Sequence, residues 1–111
     1  MLKKIALISL IGGTSLNSLA ATQEVEITGV GISNSTKTVY IGVSPNISDT
    51  SCSGSSQVRI SLVDSTVARE VYSSALTAFA SSKTVKVGYD DSSSAECLLN
   101  NPVVQSFYLI K

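Results

Sequence analysis

One stretch of the sequence, residues 67–91, places a helical pattern directly before a strand pattern. In its first part, apolar residues recur at intervals of three and four, the spacing that lines one face of an α-helix. They are Ala68, Val71, Tyr72, Ala75, Leu76 and Phe79. From position 84 the period changes to two, which predicts a strand with one buried face. That face would carry Val85, Val87 and Tyr89.

Polar residues mark both ends of this helix. Asp64, Ser65 and Thr66 are candidate N-caps, because their side-chain oxygens can accept hydrogen bonds from the unpaired N–H groups of a first helical turn. Glu70 places a negative charge near the same end, where the helix dipole favours it. Residues 81–83 are expected to end the helix.

Four other segments carry strand patterns. Residues 24–28, 38–43 and 57–63 precede the helix, and residues 103–111 end the chain. Gly29 and Gly31 are expected to let the first of these strands bend or bulge. The last strand is apolar on both faces near its end, so we expect it to be covered rather than left as a bare sheet edge.

The order of these elements indicates the fold class. Three strands, a helix and two strands is the order of the OB-fold, a five-stranded Greek-key barrel. An antiparallel sheet with one helix packed on a face has the same order and is the alternative. Both predictions are mainly β with one helix, and they differ in whether the sheet closes.

The N-terminus has the parts of a signal peptide. Lys3 and Lys4 form a positive region, an interrupted apolar run follows at residues 5–16, and small residues lead to Ala20. We expect cleavage between Ala20 and Ala21, which leaves one domain, residues 21–111, in the periplasm or outside the cell. The apolar run is shorter than the roughly 20 residues of a membrane-spanning helix, so no membrane insertion is expected after cleavage.

The chain has two cysteines, Cys52 and Cys97, and both fall in polar loops. An exported protein with an even number of cysteines most simply forms a disulfide, and two free thiols are the alternative. The chain-entropy model gives such a bridge about 4 kcal/mol of stabilisation. No histidine is present, so a zinc site would lack nitrogen ligands.

Composition argues against several function classes. Loss of Lys3 and Lys4 with the leader leaves six basic and eight acidic residues, which gives no electrostatic support for binding nucleic acid or anionic membranes. Without histidine, neither a Ser-His-Asp nor a Cys-His catalytic arrangement can form. We therefore expect a protein that is not an enzyme and that needs no metal or cofactor.

Two groups of carboxylates are the remaining catalytic or metal candidates. Glu24 and Glu26 share a strand face and could act as a glycosidase-type pair, although solvated side chains on an ordinary strand are the simpler interpretation. Asp90, Asp91 and Glu96 could offer oxygen ligands to calcium. Their spacing matches no calcium-loop pattern, which favours a solvated turn.

Tyr40 and Arg59 are the candidate binding residues. Both fall at outward positions of predicted strands, where an aromatic ring and a guanidinium could bind a sugar or a protein partner by stacking and hydrogen bonding. Ordinary cross-strand packing between the two side chains would explain them equally.

The run from Arg69 to Ala80, followed by Lys83 and the strand up to Asp90, resembles the core of a family of small, exported, uncharacterised proteins of Gram-negative bacteria. The resemblance implies a leader, a cysteine before the third strand and a second one after the fourth, and it brings no assigned activity. This chain differs in a longer segment, residues 98–106, after the second cysteine. More distantly, the predicted domain is similar in fold to the OB-fold B subunits of pentameric bacterial toxins.

Three hypotheses for function follow, and the sequence identifies no ligand for any of them. The first is a non-catalytic secreted or periplasmic binding module that recognises a protein or glycan surface through its polar loops. The second is a subunit that assembles through its barrel edges into a homo-oligomeric ring with a toxin-like partner. The third is a carboxylate-based hydrolase.

Overall fold

The structure is a computed structural model that describes residues 21–110 of the chain. The predicted leader with Ala20, and the last residue, Lys111, lie outside the described range, so the signal peptide and its cleavage stay predictions. The elements within the range are β1 (Ala21–Ser33), β2 (Thr38–Ser44), β3 (Gln57–Ser61), α1 (Ala68–Ser81), β4 (Thr84–Tyr89), β5 (Cys97–Leu98), β6 (Asn101–Pro102) and β7 (Ser106–Leu109). The fold is mainly β with one helix, as predicted.

Five strands form an antiparallel sheet in the order β3-β2-β1-β4-β7. Its edges are β3 and β7. Within the described residues, β3 makes one isolated parallel bridge on its outer side, between Arg59 and Val103, which precedes β7. There the Val104 N–H donates to the Arg59 carbonyl over 2.9 Å. The sheet that the structure describes is therefore open, and the observed fold is an antiparallel sheet with one packed helix.

The long first strand serves two neighbours. Its first half, from Ala21 to Glu26, pairs with β4, and the part from Glu26 to Ser33 pairs with β2. The register shifts between Ile27 and Gly29, which makes Thr28 the extra residue of a β-bulge. The predicted irregularity is confirmed beside Gly29, and it lets one strand turn from one partner to the other.

Strand alternation places the core as the sequence predicts. The inward residues of β2, β3 and β4 are apolar, and α1 covers them, with most of its contacts to β1. The core comprises Val25, Ile27, Val39, Ile41, Val43, Ile47, Val58, Ile60, Ala68, Ala75, Ala78, Val85, Val87, Tyr89 and Val104. None of these side chains is more than 9% exposed, so the core is continuous from β3 to β4.

The predicted buried face of the helix is only partly correct, because two of its large apolar residues are exposed. Ala68, Ala75 and Ala78 are the buried residues of α1, whereas Leu76 and Phe79 are 40% and 48% exposed. Alanine has no side-chain bulk beyond Cβ, so a line of alanines lets the helix backbone approach the sheet closely. The larger apolar side chains are thereby moved to the flank of the contact.

The helix ends differ from the prediction at the start and agree with it at the finish. The N-cap is Val67, with no side-chain capping bond, so Asp64, Ser65 and Thr66 are not N-caps. The Ser65 hydroxyl instead accepts a hydrogen bond from the Val67 N–H over 3.2 Å. At the other end Ser82 is left-handed, with φ 56°, and the helix closes within residues 81–83 as expected.

Two strand predictions are corrected. The third strand ends at Ser61, because the Ser61 hydroxyl accepts the N–H groups of Val63 and Asp64 and turns the chain away from the sheet. The last strand is shorter than predicted and forms an uncovered edge, with Tyr108 49% and Leu109 39% exposed.

A small hairpin precedes the last strand. β5 and β6 pair as a separate two-stranded sheet, joined by Leu99 and Asn100, which both have positive φ. Such a two-residue turn is typical of a tight β-hairpin. The hairpin ends at Pro102, before the predicted strand at 103–111. Val103 and Val104 then contact Arg59 instead of β4, so β7 begins only at Ser106.

Candidate functional site

The outward face of β1, β2 and β3 brings the two predicted binding residues together. Apolar residues at alternate positions of β2 and β3 lie in the core, so Tyr40 and Arg59 point away from it. The two are direct cross-strand partners, and the Arg59 Cζ lies 5.2 Å from the centre of the Tyr40 ring. This is a cation–π contact. Both side chains are partly exposed.

Hydrogen bonds hold the Arg59 guanidinium in place. Its Nη1 donates to the Thr38 hydroxyl over 2.9 Å, and its Nη2 donates to the Gln57 side-chain oxygen over 3.3 Å. Thr38 is only 4% exposed, and its hydroxyl also lies 3.0 Å from that of Thr36. The Arg59 Nε is buried and has no hydrogen-bond partner. The planar group is therefore fixed, with one donor that the described chain leaves unsatisfied.

Glycines keep the strand surface beside this pair low. The Tyr40 ring lies on Gly31, where a Cβ atom would overlap the ring, so the close approach requires glycine. Gly29 and Gly42 are paired in the next row of the sheet. A Cβ at Gly29 would meet no atom within 4 Å, so nothing in the described chain fills the space over it. A glycine inside a strand often marks such a close approach by a ligand or a backbone.

We name this area the outer face and define it by Gly29, Tyr40, Gly42, Gln57 and Arg59. It combines one aromatic ring, a fixed guanidinium, an amide and the bare backbone of Gly29, while the Thr28 hydroxyl lies over Gly42. It is a shallow surface, because its members stand on neighbouring strands of a single sheet.

The predicted disulfide is present. Cys52, in the loop between β2 and β3, is bonded to Cys97 in β5, and the two Cα atoms are 5.9 Å apart. Cys52 is 9% exposed, whereas Cys97 lies at the surface. The bond joins the loop after β2 to the connection after β4, as the sequence predicts.

The loop between β2 and β3 is held by more than this bond. Ile47 is 3% exposed and belongs to the core. Gln23 on β1 donates through its amide nitrogen to the Asn46 carbonyl over 3.0 Å, and its amide oxygen accepts the Ser48 N–H over 3.0 Å. The Gly54 N–H donates to the Asn100 carbonyl over 2.6 Å. The loop is thus fixed to β1 at one end and to the small hairpin at the other.

The carboxylate candidates lie in two separate parts of the structure. Glu24 and Glu26 are exposed on the outward side of β1, opposite Lys86 and Thr84, and both line an open depression of about 320 Å³. The Asp90 carboxylate accepts the Ser92 N–H over 2.9 Å, which is an ordinary turn bond. Across residues 21–110 no group of three or more His, Cys, Asp or Glu could hold a metal ion.

A second surface, which the sequence analysis does not predict, lies where the sheet stays open. A groove of about 360 Å³ runs between β7 and the first half of α1. We name it the seam groove. Its apolar lining is formed by Ile60, Val67, Val71, Val104 and Phe107. The apolar residues near the chain end are a sequence signal for such a surface, although their pattern predicts a covered strand.

Comparison with protein-family models, with curated proteins and with solved structures finds no match to this chain. In the described part of the chain, no helix has the length and apolar character needed to cross a membrane.

Proposed function

We propose that this protein is an exported, non-catalytic binding module with an OB-like barrel, and that it binds carbohydrate at the outer face. The observation that carries the proposal is the fixed Tyr40–Arg59 pair beside the open space over Gly29. An aromatic side chain next to planar hydrogen-bond donors suits a sugar ring, which has apolar C–H faces and hydroxyl edges.

The topology supports this choice of surface. The strand order, the parallel bridge between Arg59 and Val103 and the helix between β3 and β4 support an OB-like fold in which the segment just before the last strand lies beside the third. OB-folds bind oligosaccharides and oligonucleotides on the face of strands two and three. The outer face lies on those strands. Charge favours a sugar over a nucleic acid, because residues 21–111 carry more acidic than basic groups.

The ordered Arg59 guanidinium adds a specific reason. Its hydrogen bonds to Thr38 and Gln57 hold the group in place, so a sugar hydroxyl would meet donors that need no reorganisation. Recognition would then combine apolar contact with the exposed part of the Tyr40 ring and hydrogen bonds from the partly exposed Arg59 and Gln57 side chains.

A glycan array on the purified protein tests the proposal, followed by titration of the best sugar into Tyr40→Ala. We expect the loss of the ring to weaken binding by about ten-fold or more. Tyr108→Ala is the matched control, because Tyr108 is also an outward-facing tyrosine of the same sheet, opposite Lys86 on β4. An array without signal, or equal losses in the two variants, would exclude the outer face as a sugar site.

A further inference from the structure

The free edge of the sheet offers backbone hydrogen bonds to a partner. β7 pairs with β4, and no strand of residues 21–110 lies on its other side. The Ile110 N–H donates to the Thr84 carbonyl, so alternation along the antiparallel ladder turns the backbone groups of Phe107 and Leu109 away from β4. Charged residues and prolines usually prevent edge strands from pairing with other chains. β7 contains neither.

An apolar groove lies beside this edge. The seam groove has Val71 and Phe107 on its two sides and Ile60 and Val104 at the end near the parallel bridge. Its volume of about 360 Å³ falls within the range of ligand sites. An added strand could place alternate side chains in the groove while its backbone pairs with β7.

The charges around the groove are acidic. Glu70 lines it, and Asp64 and Glu96 line the adjoining depression, which shares Ile60, Ser65 and Val104 with the groove. Neither lining contains a lysine or an arginine from the part of the chain that the structure describes. An occupant with basic residues would therefore be complementary in charge.

We infer that the seam groove binds an extended peptide segment of a protein partner, in which apolar residues alternate with polar ones and basic residues flank them. The segment would add as a strand to β7. This site goes beyond the proposed sugar site and uses a different face of the sheet.

A second copy of this chain fits the groove less well. The two sheet edges that a second copy could offer, β3 and β7, contain one basic residue between them, Arg59. Its guanidinium already binds Thr38 and Gln57. Neither strand therefore offers a free positive charge to pair with the carboxylates of Asp64, Glu70 and Glu96.

The test uses the protein expressed from its whole sequence and purified with the disulfide intact. The probe is an end-capped peptide of alternating valine and threonine with a lysine at each end, followed by nuclear magnetic resonance of the protein amides. We expect shifts at Phe107 and Leu109, with the signals of Gly29 and Tyr40 unchanged. A version of the peptide with N-methyl groups on the paired amides should bind at least about ten-fold more weakly, because it cannot form the ladder.

Two variants test the charge argument without disturbing the core. Glu70→Gln combined with Glu96→Gln should weaken binding of the lysine-flanked peptide about two- to ten-fold at low salt. Glu24→Gln, an exposed glutamate on β1, is the matched control and should leave affinity unchanged.

Several results would overturn the inference. They are no binding up to millimolar peptide, equal binding of the N-methylated peptide, shifts confined to the outer face, or equal effects of the test and control variants. Concentration-dependent shifts at Phe107 and Leu109 without peptide would assign the edge to a second copy instead. Failure of these tests leaves the proposed sugar site unaffected, because that site is tested separately by the glycan array and the Tyr40→Ala variant.

Discussion

The two ends of the sheet differ in how the segments beside them are held. At the β3 end, the loop after β2 is tied by a disulfide, by Gln23 and by the burial of Ile47, and the outward side chains bond to one another. At the β7 end, an uncharged strand leaves Phe107 and Leu109 backbone groups unpaired within residues 21–110, and apolar side chains are exposed. The domain thus holds its loop by covalent and side-chain bonds at one end of the sheet and leaves unpaired backbone groups at the other.

Removal of the disulfide should have the largest effect on stability. Replacing Cys52 and Cys97 by serine frees a 45-residue separation in the unfolded chain, which the chain-entropy model converts to a loss of about 4 kcal/mol. Urea unfolding followed by circular dichroism measures it. Ser51→Ala, which removes only the neighbouring bond to the Ser92 carbonyl, is the control. A loss below about 1 kcal/mol in the double variant would mean that the loop is held without the bond.

Core truncations should separate the two ends of the sheet. Ile41→Ala in β2 removes a side chain that is 0% exposed, and we expect a loss of about 2–5 kcal/mol. Leu109→Ala in β7 removes one that is 39% exposed, so the expected loss is below about 1 kcal/mol. Urea unfolding followed by circular dichroism measures the loss of stability in both variants. Equal losses would show that β7 is as closely packed as the β2 region.

Loss of the Gln23 side chain should release the loop after β2 from β1. Gln23→Ala removes the bonds to Asn46 and Ser48 and should destabilise the protein by about 1 kcal/mol, because the bonds are exposed. Hydrogen exchange should become faster at Ser48 and stay unchanged at Phe107. Gln105→Ala, an exposed glutamine at the seam groove, is the matched control. Unchanged exchange at Ser48 would assign the fixing of the loop to Ile47 and Cys52 alone.

The smallest change in stability is expected at Gly29. Gly29→Ala adds a methyl group into open space, and the residue has no positive φ, so stability should change by at most about 0.5 kcal/mol. Sugar binding at the outer face should nevertheless fall, because the added group occupies the ligand's space. Thr22→Ala, on the same side of β1 but beside β4, should affect neither property. Unchanged sugar affinity in Gly29→Ala would move the binding site away from this row.

Local alternation explains which parts of the fold were predictable. Val39, Ile41 and Val43 face the core because each strand residue points opposite to the next, and Tyr40 and Arg59 face outward for the same reason. The disulfide followed from the number of cysteines and their place in loops. That Tyr40 and Arg59 are neighbours depends on register, which the sequence pattern leaves open.

The errors came from contacts between distant segments. Leu76 and Phe79 fit a helical stripe, but the sheet contacts the line through Ala75 and Ala78, and only the approach of β1 to the helix decides between the two. The seam groove was not predicted because it depends on where β7 ends relative to β3. Val103 and Val104 contact Arg59 instead of β4, and the alternation of the sequence does not show this change of partner.

The bulge at Thr28 separates two properties of a strand, the alternation of apolar and polar sides and the curvature of the backbone. Ile27 and Val30 both face the interior, and Thr28 and Gly29 stand together on the opposite side. A chain lacking Thr28 would still alternate regularly, so each apolar residue of β1 would keep its side. What it would lose is curvature, and with it the ability of one strand to follow two partners in different directions. In this strand, polarity is encoded by the alternating residues and shape by a single threonine.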